Sequence, residues 1–319
     1  MRITGRSVSG AAMSFAMFAA CTSDGTTTPR PVAPAHIYIS DDNRLVRMSG
    51  IEGNDWSSLG TQSTDPKLFD SPTGIYVDSA KRIYVADFHN NRIVRMDDFS
   101  GAGWTTLGTA GSGKLQFNNP IGISVDLDGK IYVADAANNR VVRMDDMKGT
   151  NWTTYGEPGG GVGQFDYVNG IFVDAQRRIY IADGRNNRIV RISDMSGAGW
   201  RAFGPTSIEG PHLLAPGSIF VDRTGKIYIA DVFHNRIVRV DDIFGGGETS
   251  CCFIAEDSVH HFNTPLSVAV DSVGQIYITD SGNHRIVRMS DMAATGWTVL
   301  GTPGPGVDQF DTPYGIFIR

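Results

Sequence analysis

A zinc ion held by imidazoles, with one coordination position left open, turns bound water into a nucleophile at neutral pH. His212, His234, His260 and His261 are the residues of this chain that could build such a centre. They lie far apart, however, and three of them stand where equivalent stretches carry Gln or Asn; His212 and His261 take the place of Gln116, Gln164 and Gln309. A second set of ionisable residues recurs at fixed spacing. Asp87, Asp135, Asp183, Asp231 and Asp280 open short turns that Arg92, Arg140, Arg188, Arg236 and Arg285 close. Acid and guanidinium at opposite ends of one hairpin loop can pair with each other, and a residue repeated around a ring serves architecture. Asp78, Asp126, Asp174, Asp222 and Asp271 recur ahead of turns such as Leu127 to Lys130, where a carboxylate accepts turn amides. No GxSxG nucleophile elbow, HExxH helix or phosphate-cradling Gly loop occurs.

What must position these side chains is a repeat. IYVADFHNNRIVR at Ile83 returns in close copies at Ile131, Ile179, Ile227 and Ile276, and in a shortened one at Ile37, with spacings of 46, 48, 48, 48 and 49 residues. Each copy reads as two short strands around a turn, β-branched and aromatic on both sides of Asp87 to Asn91. No sustained helical stripe accompanies it. A period in the forties made only of strands predicts an all-β propeller. In the second unit the strands are expected at Gly74 to Asp78, Arg82 to Asp87, Arg92 to Asp97 and Trp104 to Gly108, one four-stranded antiparallel blade. The first unit lacks an inner strand, whereas the chain ends in PYGIFIR, Pro313 to Arg319. A C-terminal strand that pairs with the N-terminal blade would close a six-bladed ring and remove the open sheet edge.

The pattern in FNNPIGISVDLDGKIYVADAANNRV, Phe117 to Val141, resembles the NHL repeat, and the resemblance extends over residues 36–319. It implies the six-bladed propeller and leaves activity open, because a shared fold does not fix function. Calcium-dependent lactonases of propeller type hold their ion near the channel with carboxylates and amides. Here the residues preceding the inner-strand Gly or Ser are Thr73, Ile121, Asn169, Gly217, Leu266 and Tyr314, of which only Asn169 could serve calcium. Peptidyl-amidoglycolate lyases share an NHL-like propeller and bind zinc, which keeps a metal-dependent lyase or hydrolase near blade five as the alternative function.

The leading expectation is a non-enzymatic binding scaffold, without cofactor, that holds an envelope protein, peptide or glycan on its loop face. Its candidate ligand-binding residues are Asn169, Tyr314, Thr73, Phe88 and Phe233. Blade five departs from the repeat, running GGGETSCCFIAEDSVHHF from Gly245 to Phe262, and such departures are better functional leads than the repeat itself. The opposite face carries acidic pairs, Asp97 with Asp98, Asp145 with Asp146 and Asp241 with Asp242, which read as a solvated rim. Cys251 and Cys252 read as two buried thiols in preference to a strained disulfide.

The N-terminus differs in character. Arg2 and Arg6 precede an apolar run, Val8 to Ala20, too short to span a bilayer, so residues 1–20 read as a signal peptide. FAAC, Phe18 to Cys21, resembles a bacterial lipobox, which would make Cys21 the lipidated first residue of an exported, envelope-anchored monomer. Residues 21–35 read as a Thr/Pro-rich tether ahead of the propeller at 36–319. The formal charge is −6 for 28 basic and 34 acidic residues; loss of Arg2 and Arg6 leaves 26 against 34, or −8. Nucleic acid is a poor partner for that balance. Cys21→Ser is expected to abolish incorporation of radiolabelled palmitate and to move the protein from the membrane to the soluble fraction. Unchanged labelling would remove the lipobox reading.

Overall fold

Alternating apolar residues in each repeat fold into a four-stranded antiparallel sheet. In the computed structural model, which describes residues 36–60, 68–204, 213–252 and 260–319, the second repeat begins with the inner strand Pro72–Val77. It continues through Ile83–Asp87 and Arg92–Met96 to the outer strand Thr105–Leu107. The second strand is buried at every position, as expected for a strand packed on both faces. Inner strands Pro120–Val125, Val168–Val173, Pro216–Val221 and Pro265–Val270 start the next four blades. The remaining blade is shared between the chain ends: Pro313–Ile318 pairs antiparallel with His36–Asp41, and the sheet runs on through Arg44–Ser49 to Asn54–Leu59. Six blades closed by the C-terminal strand match the expectation from the repeat. Cys21, the tether and His212 lie outside the described residues.

Local details differ from the sequence reading. Inner strands start two residues earlier than expected, because Pro72 pairs with Asp87 across an irregularity in the register. Outer strands of blades two to six shrink to three residues, such as Thr105–Leu107, while that of the shared blade, Asn54–Leu59, keeps six. Two-residue parallel bridges, Thr109–Ala110 with Gln116–Phe117 for example, were not foreseen. They form because the Gln116 side chain accepts the Gly113 amide at 2.9 Å and folds the loop back on itself.

The core lies between neighbouring sheets. Tyr84, Ala86 and Ile93 of blade two pack on Phe117, Ile123, Val125, Ile131 and Val133 of blade three, and each such buried side chain contributes about 1.5–3 kcal/mol. On the outside, Trp104 lies on Phe69, Trp152 on Phe117, Trp200 on Phe165, Trp297 on Phe262 and Trp56 on Phe310, with ring centroids 5.1–5.6 Å apart. Blade five breaks this series, with Leu213 in the Phe place and Glu248 in the Trp place.

The repeated polar residues form one clasp per blade. Asp183 is fully buried. Its Oδ1 accepts the Asp166 amide at 2.8 Å, while Oδ2 accepts Asn186 Nδ2 at 2.9 Å and Arg188 Nε at 2.8 Å. The Arg188 guanidinium also donates to the carbonyls of Gly160 and Gln164. Asn187, left-handed at φ 54°, accepts the Ala215 amide at 2.8 Å and so fixes the start of the next blade. Burial raises the carboxyls of Asp87, Asp135 and Asp183, while backbone amides, asparagine and arginine pull the other way. The second acid series caps turns as expected: Asp78 Oδ1 accepts the amides of Ala80 and Arg82, and Oδ2 accepts the Tyr84 hydroxyl at 3.3 Å.

Removing one partner of a buried ion pair strands the other, at about 3–5 kcal/mol. Asp183→Ala should lower the unfolding free energy by about that amount, whereas Asp194→Ala, on an exposed turn, should barely move the urea midpoint. Equal midpoints for the two variants would deny the clasp its structural role. A separate alkaline transition is also expected. Burial, and then the adjacent carboxylates, push the hydroxyls of Tyr84, Tyr132 and Tyr277 from 10.0 up to about 12. The protonated phenol is favoured in the fold, so its contribution is complete below pH 10.0 and is lost as the pH rises through about 12. Ultraviolet titration of phenolate alongside circular dichroism would check that ionisation and unfolding coincide.

Candidate functional site

The centre of the ring is too narrow to hold a ligand. A Cβ on Gly74 would collide with the Ile121 carbonyl, and one on Gly170 with the Gly217 carbonyl, so successive inner strands meet backbone to backbone. The hydroxyl of Thr73 reaches the Pro120 and Ile121 carbonyls at 3.2 and 3.0 Å, and Asn169 Nδ2 donates to the Pro216 carbonyl at 2.9 Å. What remains is a lumen of about 70 Å³, room for a few waters. Along the channel axis, among the described residues, ligand-sized space lies at the two ends.

At the loop-rich end a pocket of about 320 Å³ gathers residues from several blades. Thr73, Phe88 and His89 come from blade two, Tyr167 and Asn169 from blade four, and Asp42, Thr312 and Tyr314 from the blade shared by the chain ends. Four sequence candidates, Thr73, Phe88, Asn169 and Tyr314, therefore line one pocket. Phe233 does not; it is 65% exposed on the blade-five turn. The hydroxyl of Thr73 is spent on carbonyls, so this residue shapes the wall. Tyr314 borders both the pocket and the lumen. Burial drives its hydroxyl far above the usual tyrosine range, with Tyr167 adding to the shift.

Tyr167, Asp42 and His89 escaped the sequence reading. Tyr167 sits at φ 60°, held there because Asn139 accepts its amide at 2.7 Å, and the Arg185 guanidinium lies 4.6 Å from its ring centre. A side chain carried on a left-handed residue leaves no periodic signal. Its one trace is position: Tyr167 precedes Val168, where most repeats have proline. His89 reads as an Asn substitute from its turn, yet it stands one place before Asn90 and Asn91, and its Nδ1 lies 3.1 Å from Asp70. His284 does take the second Asn place, with φ 55° and its ring on the Asp311 carbonyl.

The histidines of the zinc alternative are dispersed. His234 Nδ1 lies 2.9 Å from Asp231 and fills the place of the clasp asparagine. His260 stands edge-on to Trp297 at 5.1 Å. His261 Nδ1 is buried and meets no hydrogen-bond partner among the described residues. His212 lies outside them. No group of three or more His, Cys, Asp or Glu able to hold a metal occurs among the described residues.

Cys251 and Cys252 are joined by a disulfide, which corrects the expectation of two thiols. Cys252 occupies the place of Gly108, Gly156, Gly204 and Gly301, all at positive φ, and itself adopts φ 69°. Successive side chains on an extended strand point to opposite faces; the left-handed step turns the second sulfur back toward the first. Glu248 nearby is half-buried, and burial raises its carboxyl while Arg236 lowers it. The acidic rim on the opposite face caps turns: Asp98 accepts the Ser100 amide and Asp146 those of Lys148 and Thr150, while Asp145 pairs with Arg143 at 2.6 Å.

Residues 69–96, 117–144 and 262–289 match the family model of the NHL repeat. No curated protein matches the sequence. Among solved structures, a chain of a nidogen/laminin complex superposes with a TM-score of 0.65 at 20% identity, covering 89% of this chain and 98% of that one. A protein of unknown function from Bacteroides caccae gives 0.63 at 12% identity, covering 90% and 99%. A streptogramin B lyase gives 0.56 at 16% identity, covering 88% and 91%. At such identities the likeness is one of fold.

Proposed function

We propose, from the premise that this chain is an NHL-repeat β-propeller, that it is a non-enzymatic binding scaffold working through its loop-rich mouth. The observation that carries the reading is the pocket that brings Phe88, Asn169, Tyr167 and Tyr314 together from three blades. Aromatic walls with a few polar groups suit recognition of a protein segment, peptide or glycan. The closed lumen supports binding at the rim, and protein association by a propeller of the same fold in the nidogen/laminin complex is consistent with it. With the leader and lipobox read from the sequence, the scaffold would be exported and tethered to the cell envelope, and its partner would be an envelope component. The metal-dependent lyase or hydrolase reading gains no support from His234, whose ring is engaged by Asp231.

The test is retention of envelope components on the immobilised chain. A partner held by the wild type and by Phe233→Ala, but retained at least tenfold less by Phe88→Ala and by Tyr314→Ala, is the expected result. Equal retention by all four would take the pocket out of the function. In parallel, mass spectrometry after exhaustive dialysis without chelator should find no stoichiometric zinc. Zinc lost on changing His212 and His261 to Ala would replace the scaffold reading with the enzymatic one.

A further inference from the structure

The other end of the channel carries a second, larger concavity of about 680 Å³. Its floor is aromatic. The inner-strand position flanked on both sides by Ile or Val is Tyr76, Phe172, Phe220 and Phe317 in four blades, but Ser124 and Ala269 in the other two. The rings stand in pairs, Tyr76 with Phe317 at 4.7 Å and Phe172 with Phe220 at 5.1 Å between centroids. The small residues separate the two pairs. Ser124 shows that the fold does not require a ring there: its hydroxyl accepts the Val173 amide at 3.1 Å and holds the adjacent strand. All four rings are only partly buried, and they border the narrow lumen on one side and the open concavity on the other.

The rim decides what could rest on that floor. It carries five carboxylates, those of Asp78, Asp126, Asp128, Asp222 and Asp271, and three guanidiniums, those of Arg82, Arg223 and Arg319. Asp78 pairs with Arg82 at 2.7 Å, and Asp128 with Arg177 at 2.7 Å. Arg319 donates to the carbonyls of Val77 and Ser79. Arg223 is exposed and makes no hydrogen bond or ion pair among the described residues; the equivalent turn positions hold Ser79, Leu127, Ala175 and Ser272. Turn amides and tyrosine hydroxyls engage the carboxylates of Asp78, Asp126, Asp222 and Asp271, so the groups left to a ligand at the edge of the apolar floor are the Arg223 guanidinium and the Ser79 and Ser272 hydroxyls. A ligand of either charge would meet opposing groups, whereas a neutral ring with an apolar face and hydroxyl edges would satisfy floor and rim together.

We propose that this end of the channel is a saccharide site, separate from the mouth pocket. A neutral pyranose would stack on the Phe172 and Phe220 pair, with its edge hydroxyls taken by Arg223 on the turn that follows Phe220 and by the Ser272 hydroxyl. The site rests on different residues from the mouth pocket, so either can fail without the other.

Saturation-transfer NMR on the whole chain, with a panel of neutral methyl glycosides and disaccharides and with 2-naphthalenemethanol as an aromatic control, tests this. The expected result is saturable binding of at least one sugar, weakened at least tenfold by Phe220→Ala and by Arg223→Ala and unchanged by Tyr314→Ala. Arg223 lies on an exposed turn, so its variant keeps the packing intact, and thermal unfolding verifies this for both. Absence of binding by every sugar, binding of the naphthalene alone, or sugar binding indifferent to Arg223→Ala would each overturn the proposal.

Discussion

Everything in this ring depends on a buried aspartate that has more donors aimed at it than one carboxylate can leave unsatisfied. A charge removed from water survives only when paired and hydrogen-bonded. Asp135, for example, meets the Asn118 amide, Asn138 and Arg140 at 2.7–2.8 Å. Those contacts bind the hairpin of a blade to the loop that leads into it, and the following asparagine reaches the next blade. Sheet hydrogen bonds hold each blade; the clasps, together with the packing between sheets, set the angle from one blade to the next.

The same economy of space explains where function can reside. Inner strands that touch backbone to backbone leave glycine or serine as the only residues that fit at their closest points. The lumen then cannot admit a ligand, and recognition moves to the ends. The two ends have different characters because different positions of the inner strand face them. Loop residues and strand starts frame one, and the variable position beside the terminal aspartates frames the other. Blade five differs on its outer edge as well: with Glu248 and Leu213 replacing the aromatic pair, the strand end carries a disulfide in place of a flexible glycine.

Much of this was legible in the residues. The period of the IYVAD stretches predicted strands, blades and closure, because two-residue alternation and turn chemistry are local properties. The roles of Asp78 and Asp87 were legible for the same reason, since each bonds within a few residues of itself or across one loop. Cys251 and Cys252 were misread because the left-handed step at Cys252 is imposed by the place it fills in the blade. Phe233 and Phe88 lie on equivalent turns but at different places, Phe88 directly after its clasp aspartate and Phe233 one residue further on, where the side chain is exposed; Phe88 meets residues of other blades in a pocket.

The sequence by itself determined the number of blades, the strand order within each and the residues that cap every turn, since these follow from short-range pattern and repetition. Tertiary structure alone decided which repeats face one another across the axis. Tyr314 and Asn169 are far apart in the chain, and Tyr76 and Phe317 farther still, but a ring of six sheets brings the first two to one opening and stacks the second two at the other. The physical reason is closure. Once Pro313–Ile318 pairs with His36–Asp41, every blade gains two neighbours and a fixed place around the axis, and it is that placement, set by no single repeat, which creates the pocket at one end and the aromatic floor at the other.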